Sequence, residues 1–235
     1  LVEACVESGC HYVDITGESF WVKEQIEKHH NIAKKKGLRI INACGFDSVP
    51  SDLGVFFAAN SVDGELKSVR GFHAWKGEAS GGTMETMFSS IDAKSAKGGL
   101  GKFSLNPENS VSDFQKKNTS DKIKVEKISG LSGWTGPFIM ALPNTRVVRR
   151  SAALSKNIGK YYGDSFVYSE GAYYSRRGSA LKVSFMTMLI GLIILSPLRR
   201  KRSILLLSHY YLGCYIKRVG LTPKGFQYLQ FAMKI

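Results

Sequence analysis

At 235 residues the chain can bury one or two hydrophobic cores, and 43% hydrophobic with 22% charged residues excludes a disordered or collagen-like chain. A formal net charge of +14 points to anionic partners, but neither zinc-finger spacing nor an aromatic RNA-binding signature is present, so no nucleic-acid partner is expected. Cys5, Cys10, Cys44 and Cys214 form no Cys-x-x-Cys pair and have no histidine at ligand spacing, which predicts reduced thiols in a cytosol-facing, unsecreted protein and no metal site.

Residues 1–8 read as the last turns of a helix stopped by Gly9. A short strand over 11–15 follows, ending in Asp14-Ile15-Thr16-Gly17-Glu18. From Phe20 to Lys36 the spacing of Val22, Ile26, His30 and Ala33 predicts a helix, with Lys34 to Lys36 at the negative end of its dipole and Gly37 as its stop. A second strand over 38–43 runs into Cys44-Gly45-Phe46-Asp47-Ser48, where Ser48 is an N-cap candidate for a helix over 49–60 with Pro50 in its first turn. Alternation of strand and helix with short loops predicts parallel strands joined by right-handed crossovers. The expected fold class is therefore α/β, a partial Rossmann-type doubly wound sheet over residues 1–60.

The pattern changes after residue 60. A strand over 65–75, a Gly-rich turn over 77–82 and a helix from Thr83 to about Asp92 predict a second, α+β unit over 61–180. Residues 93–127 are polar, lysine-rich and weakly periodic, the pattern of a flexible insertion. Within them Lys97-Gly98-Gly99-Leu100-Gly101-Lys102-Phe103 imitates a P-loop but fails, with Ala96 where the first glycine belongs and Phe103 where a hydroxyl should meet magnesium. The segment 181–235 carries an apolar run over 183–198, closed by Pro197 and followed by Arg199-Arg200-Lys201-Arg202. That run is short for a span, and two readings stand: a buried core helix, or a membrane-associating segment with a basic anchor. Together with Arg149-Arg150 and Arg176-Arg177, the basic cluster favours an anionic membrane surface as partner.

Tyr-Val-Asp-Ile-Thr-Gly-Glu at 12–18, followed at this distance by Gly45-Phe46-Asp47-Ser48-Val49-Pro50-Ser51-Asp52-Leu53-Gly54, resembles the saccharopine dehydrogenase-like oxidoreductases. The branch is the one that includes the bacterial trans-acting enoyl reductases and their eukaryotic relatives. Gly82-Thr83 fits that branch's Gly-Thr-x-x-Ser element, with Thr86 in place of the serine. The resemblance is strong over 1–60, weaker over 65–100 and loose beyond. It implies a Rossmann domain followed by an α+β substrate or dimerisation domain, NAD(P) as cofactor, a hydrophobic small-molecule substrate and a homodimer. It also implies association with a membrane or lipid droplet. The family's first βαβ unit and its Gly-x-Gly-x-x-Gly loop have no counterpart here, so the chain is expected to be a fragment, inactive alone, of an NAD(P)-dependent oxidoreductase.

Hydride transfer needs the nicotinamide held against an acceptor carbon with water excluded. The loops at strand C-terminal ends are the places for this. The resemblance makes Thr16, Gly17, Gly45, Phe46, Asp47 and Ser48 the cofactor-side residues and Thr83 the substrate-side candidate. Gly17 and Gly45 permit close backbone approach or a positive φ. Asp47 and Ser48 suit a carboxamide or plain helix capping, and Asp52 suits the positive end of a helix dipole. No residue is assigned as proton donor. The rival expectation is a non-enzymatic membrane or lipid-droplet protein that keeps the fold without the chemistry.

Overall fold

The computed structural model describes residues 1–74, 101–121, 124–155, 162–195 and 230–234, with backbone alone given at 190–191, 193–195 and 230–234. Helix α1 (Val2–Ser8) ends at Gly9, whose φ of 74° is left-handed. Strand β1 (Tyr12–Val13), helix α2 (Ser19–Lys35), strand β2 (Ile40–Ile41) and helix α3 (Val49–Ser61) follow. β1 and β2 pair in parallel, Tyr12 opposite Ile40 and Val13 opposite Ile41. α1 and α2 cover one face of this sheet, where Val2, Val6 and Ala33 bury against Tyr12, Trp21, Leu38 and Ile40. Val22 and Ala33 of the expected α2 face are buried, whereas His30 is exposed. Lys36 closes α2, and Gly37 takes the left-handed position just beyond, at φ 66°.

The second sheet is five-stranded, with β3 (Ser68–Ala74), β4 (Glu126–Lys127), β5 (Trp134–Gly136), β6 (Val167–Tyr174) and β7 (Gln230–Lys234) in the order β4-β5-β6-β3-β7. β3 and β6 are parallel and the other pairs antiparallel. The chain is thus α/β, a parallel Rossmann-type pair followed by a mixed sheet. Helix α5 (Ala141–Ser155) and α3 lie on one face of this sheet, over a core of Val55, Ala59, Leu66, Val69, Val148, Ala152, Tyr162, Phe166 and Tyr168.

Of the segment read as a flexible insertion, residues 101–121 and 124–127 carry helix α4 (Asp113–Asn118) and strand β4. A capping box starts α4: Ser112 accepts from the Gln115 N–H, and the Gln115 side chain accepts from the Ser112 N–H. Buried Arg149 and half-buried Arg150 of α5 donate to the carbonyls of Lys102 and Leu105, which holds this segment on α5. These two arginines therefore do not form an outward basic patch. Arg149 is turned inward by Asp121, which bridges it and Arg146 at 2.9 and 2.8 Å, and Arg150 by the Leu105 carbonyl.

Helix α6 (Arg177–Leu195) packs its first turns on β5 and β6 through fully buried Ala180 and the Arg177 guanidinium over Trp134. Leu181, Val183, Phe185, Met186, Met188, Leu189 and Leu192 are exposed, so its apolar surface is not a buried core. Among the described residues no helix is long and apolar enough to cross a membrane. The expected helix over 83–92 lies outside the described residues.

Candidate functional site

The loops that follow β1 and β2 meet at the C-terminal end of the parallel pair, and Asp14 braces them. Its Oδ1 accepts from the Thr16 and Ala43 N–H groups, both at 3.0 Å, and its Oδ2 accepts from Asn42 Nδ2 at 2.6 Å. The Asp14 carbonyl accepts from the Cys44 N–H at 2.7 Å. A carboxylate suits this place because it offers several lone pairs to converging N–H groups. Thr16 Oγ1 in turn accepts from the Glu18 N–H at 3.2 Å, which sets the entry to α2.

The structure thus brings Thr16, Gly17, Gly45 and Phe46 into one neighbourhood. A Cβ on Gly45 would come 3.3 Å from the Ile15 Cβ, so the glycine answers a close approach of the two loops. The positive φ expected at a glycine sits instead on Ala43, at 59°. Asp14 fixes that residue from the side, which compensates a conformation alanine rarely adopts. Phe46 is 68% exposed and Asp47 is exposed, so both present themselves at the surface. Thr83 lies outside the described residues.

Ser48 departs from expectation. It occupies the N-cap position of α3, but its hydroxyl caps no backbone N–H. It is buried and donates to Asn144 Oδ1 at 2.9 Å. Asp52 departs as well. Its side chain does not rest at the dipole in water but turns toward α5, where Oδ2 accepts from Ser151 Oγ at 2.9 Å and Oδ1 has no partner. Burial pushes its carboxyl up to about 6, partly opposed by the Ser151 hydrogen bond.

Beneath α3 lies a buried polar chain that periodicity did not reveal. Asn144 Nδ2 approaches Ser51 Oγ at 3.5 Å, and Ser51 Oγ donates to Glu170 Oε2 at 3.0 Å. The same oxygen accepts from Tyr168 Oη at 2.6 Å and faces His73 Nε2 at 3.4 Å. Phe138 stacks on His73 with ring centroids 4.4 Å apart. Glu170 Oε1 has no partner. Burial first, and the Glu170 charge second, drive the Tyr168 hydroxyl well above its ordinary value, so it stays a hydrogen-bond donor. Gly71 leaves the room for this cluster, since a Cβ there would meet Tyr168 Oη at 2.8 Å. One signal was available: His73 and Glu170 fall on the strand faces that otherwise bury Val69, Tyr168 and Ala172.

A small, partly open cavity between β3, β5 and β6 is about 10 Å³, room for one water and too small for a substrate. A wider, open depression of about 720 Å³ lies along the β4–β5 turn over residues 127–133. The loops above β1 and β2 are the ligand candidate on their position at the C-terminal ends of parallel strands.

This chain is similar to trans-acting enoyl reductases. The protein of that name from Mycobacterium leprae is 37% identical over 191 residues, and those of Mycobacterium ulcerans and Mycobacterium tuberculosis are 35% identical over 191 residues. Each match covers 72% of this chain and 43% of the relative, so the chain spans less than half the length of these curated proteins. No family model matches. No solved structure matches either.

Proposed function

We propose that the chain is part of an NAD(P)-dependent oxidoreductase that reduces the double bond of a hydrophobic, enoyl-type substrate. The observation that carries this reading is the pair of Asp14-braced loops at the C-terminal ends of parallel strands, the place where such sheets receive nucleotide ligands. The similarity to trans-acting enoyl reductases supports the reaction class. The residues suit the nicotinamide end of a dinucleotide: Gly45 lets its loop come close to Ile15 without bulk, Thr16 and Gly17 follow in the neighbouring loop, and exposed Phe46 offers an apolar wall. Among the described residues no glycine-rich cradle for the pyrophosphate is present, so these loops account for only one side of the site. When bound, the dinucleotide supplies the hydride. The chain's own part is to hold the ring and shed water from it, with Asp14 keeping both loops in register.

The test uses the full-length chain, a reduced nicotinamide cofactor and an α,β-unsaturated acyl thioester. The expected result is saturable oxidation of the cofactor that requires the thioester. Absence of dinucleotide binding by the full-length protein overturns the reading.

A second reading has its own observation. α6 is apolar over most of its surface, and Phe185 and Leu192 are both 59% exposed. The hydroxyls of Ser184 and Thr187 donate to the Ala180 and Val183 carbonyls of their own helix, at 2.7 and 2.9 Å, which suits an apolar medium. Arg176, Arg177 and Lys182 stand at its base. This favours a protein seated on an anionic membrane or lipid-droplet surface, with or without catalysis. Phe185→Glu/Leu192→Glu should abolish co-flotation with vesicles rich in anionic lipid. Unchanged flotation of that variant removes this reading.

A further inference from the structure

We propose that Asn144 is the positioning residue of the Gly45–Ser48 loop. The loop is clamped at both ends. At its entry Asp14 takes the Ala43 N–H on its carboxylate and the Cys44 N–H on its carbonyl. At its exit the Ser48 hydroxyl donates to Asn144 Oδ1 at 2.9 Å, with both side chains buried. Ser48 is also tied to the turn itself. The N–H groups of Ser48 and Val49 both donate to the Gly45 carbonyl, at 3.2 and 3.0 Å. Whatever fixes Ser48 therefore fixes Gly45. Between the clamps only Phe46 and Asp47 project into solvent.

The exit clamp is not part of the helix start. Ser48 could cap α3 but does not, so its hydroxyl is committed to another element. Asn144 belongs to α5, which packs on the second sheet. Its amide reaches on to Ser51, and Ser51 to Glu170 of β6. The loop above the first sheet thus takes its position from the second. An asparagine suits the place because its carbonyl accepts from Ser48 while its amide faces Ser51, without adding a charge beside buried Glu170.

This inference rests on the reading that the loop lines the nicotinamide, but its first test does not. In the full-length protein, Asn144→Ala and Ser48→Ala should each accelerate hydrogen exchange at the Ser48 and Val49 amides. The Tyr12 and Asp14 amides of the neighbouring strand should keep their wild-type rates. The second test is kinetic. Each variant should raise the KM for the dinucleotide about tenfold with kcat within about twofold, and the double variant should be no worse than either single one, as for residues acting as a unit. Unchanged exchange at residues 48 and 49, or a rise shared by the whole chain, overturns the inference. So does a KM that is unchanged in the variants when the wild type binds dinucleotide. A wild type that binds none sinks the proposed function instead, and the exchange rates still decide whether Asn144 holds the loop.

Discussion

Asp52→Asn should stabilise the protein at neutral pH and destabilise it by about 1 kcal/mol near pH 4. The carboxyl is largely enclosed between α3 and α5, with one oxygen on Ser151 and the other without a partner. Burial raises its pKa from 3.8 to about 6. The folded state therefore binds this proton more tightly than the unfolded chain does. Below about pH 4 both states are protonated and the side chain costs nothing in charge. As pH climbs from about 4 to about 6, the folded state loses stability, and above that the penalty is complete. A rise of that size is worth about 3 kcal/mol at neutral pH. Asparagine removes that pH-dependent cost but places an amide where an oxygen already lacks a partner, a loss of about 1 kcal/mol. The net gain at neutral pH is then about 2 kcal/mol, or roughly 4–8 °C in Tm for a chain of this size. Urea unfolding of wild type and variant at about pH 4, 5, 6 and 7.5 reads this directly. A stability difference that stays flat across the series would refute the argument, because only an ionising Asp52 makes it grow with pH. A secondary sign accompanies it. Tyr162, pushed up to about 12 by burial and then by the Asp52 charge, should titrate lower in the variant.

Asp121→Asn should have the opposite pH signature. Burial alone would raise its pKa, but the charges and hydrogen bonds of Arg149 and Arg146 outweigh it and hold the carboxyl below the ordinary range. The same burial lowers Arg149, whose guanidinium nevertheless stays charged. The wild-type stabilisation is therefore present above the unfolded carboxyl's pKa and lost as pH falls through the folded one. The variant, which leaves two buried guanidinium groups short of a counter-charge, should cost about 3 kcal/mol at neutral pH by urea unfolding, with the difference shrinking in acid. Asp14→Ala removes the acceptor of three hydrogen bonds and should cost about 2 kcal/mol, with fast exchange at the Thr16 and Ala43 amides as its local mark. Wild-type exchange at those two amides would show that the brace is dispensable.

What could be read from the sequence was whatever is local. Gly9 and Gly37 announce helix ends because a left-handed φ suits glycine, and both adopt it. Val22 and Ala33 mark the buried side of α2 through helical spacing alone. Strands fared less well: the runs over 11–15 and 38–43 pair over only two residues each, and just beyond them the Asp14 and Asn42 side chains bond to each other across the loops. Ser48 and Asp52 look like cap and dipole residues in any local reading. Their true partners are Asn144, 96 residues away, and Ser151, 99 residues away, and no spacing rule reaches that far. The Ser51–Glu170 bond spans 119 residues for the same reason. A charged residue within a strand was the one local hint of that cluster.

The parallel pairing of β3 with β6 also bears on how the chain is made. Ser68 lies opposite Val167, so β3 leaves the ribosome roughly 100 residues ahead of its partner. At translation speeds of about 5–20 residues per second, β3 waits roughly 5–20 s with Val69 and Phe72 unburied. Until β6 arrives, α3 has no finished sheet to settle on, and Glu170 is not there to receive Ser51. Nascent chains halted before residue 167 are the ones most in need of a chaperone's cover.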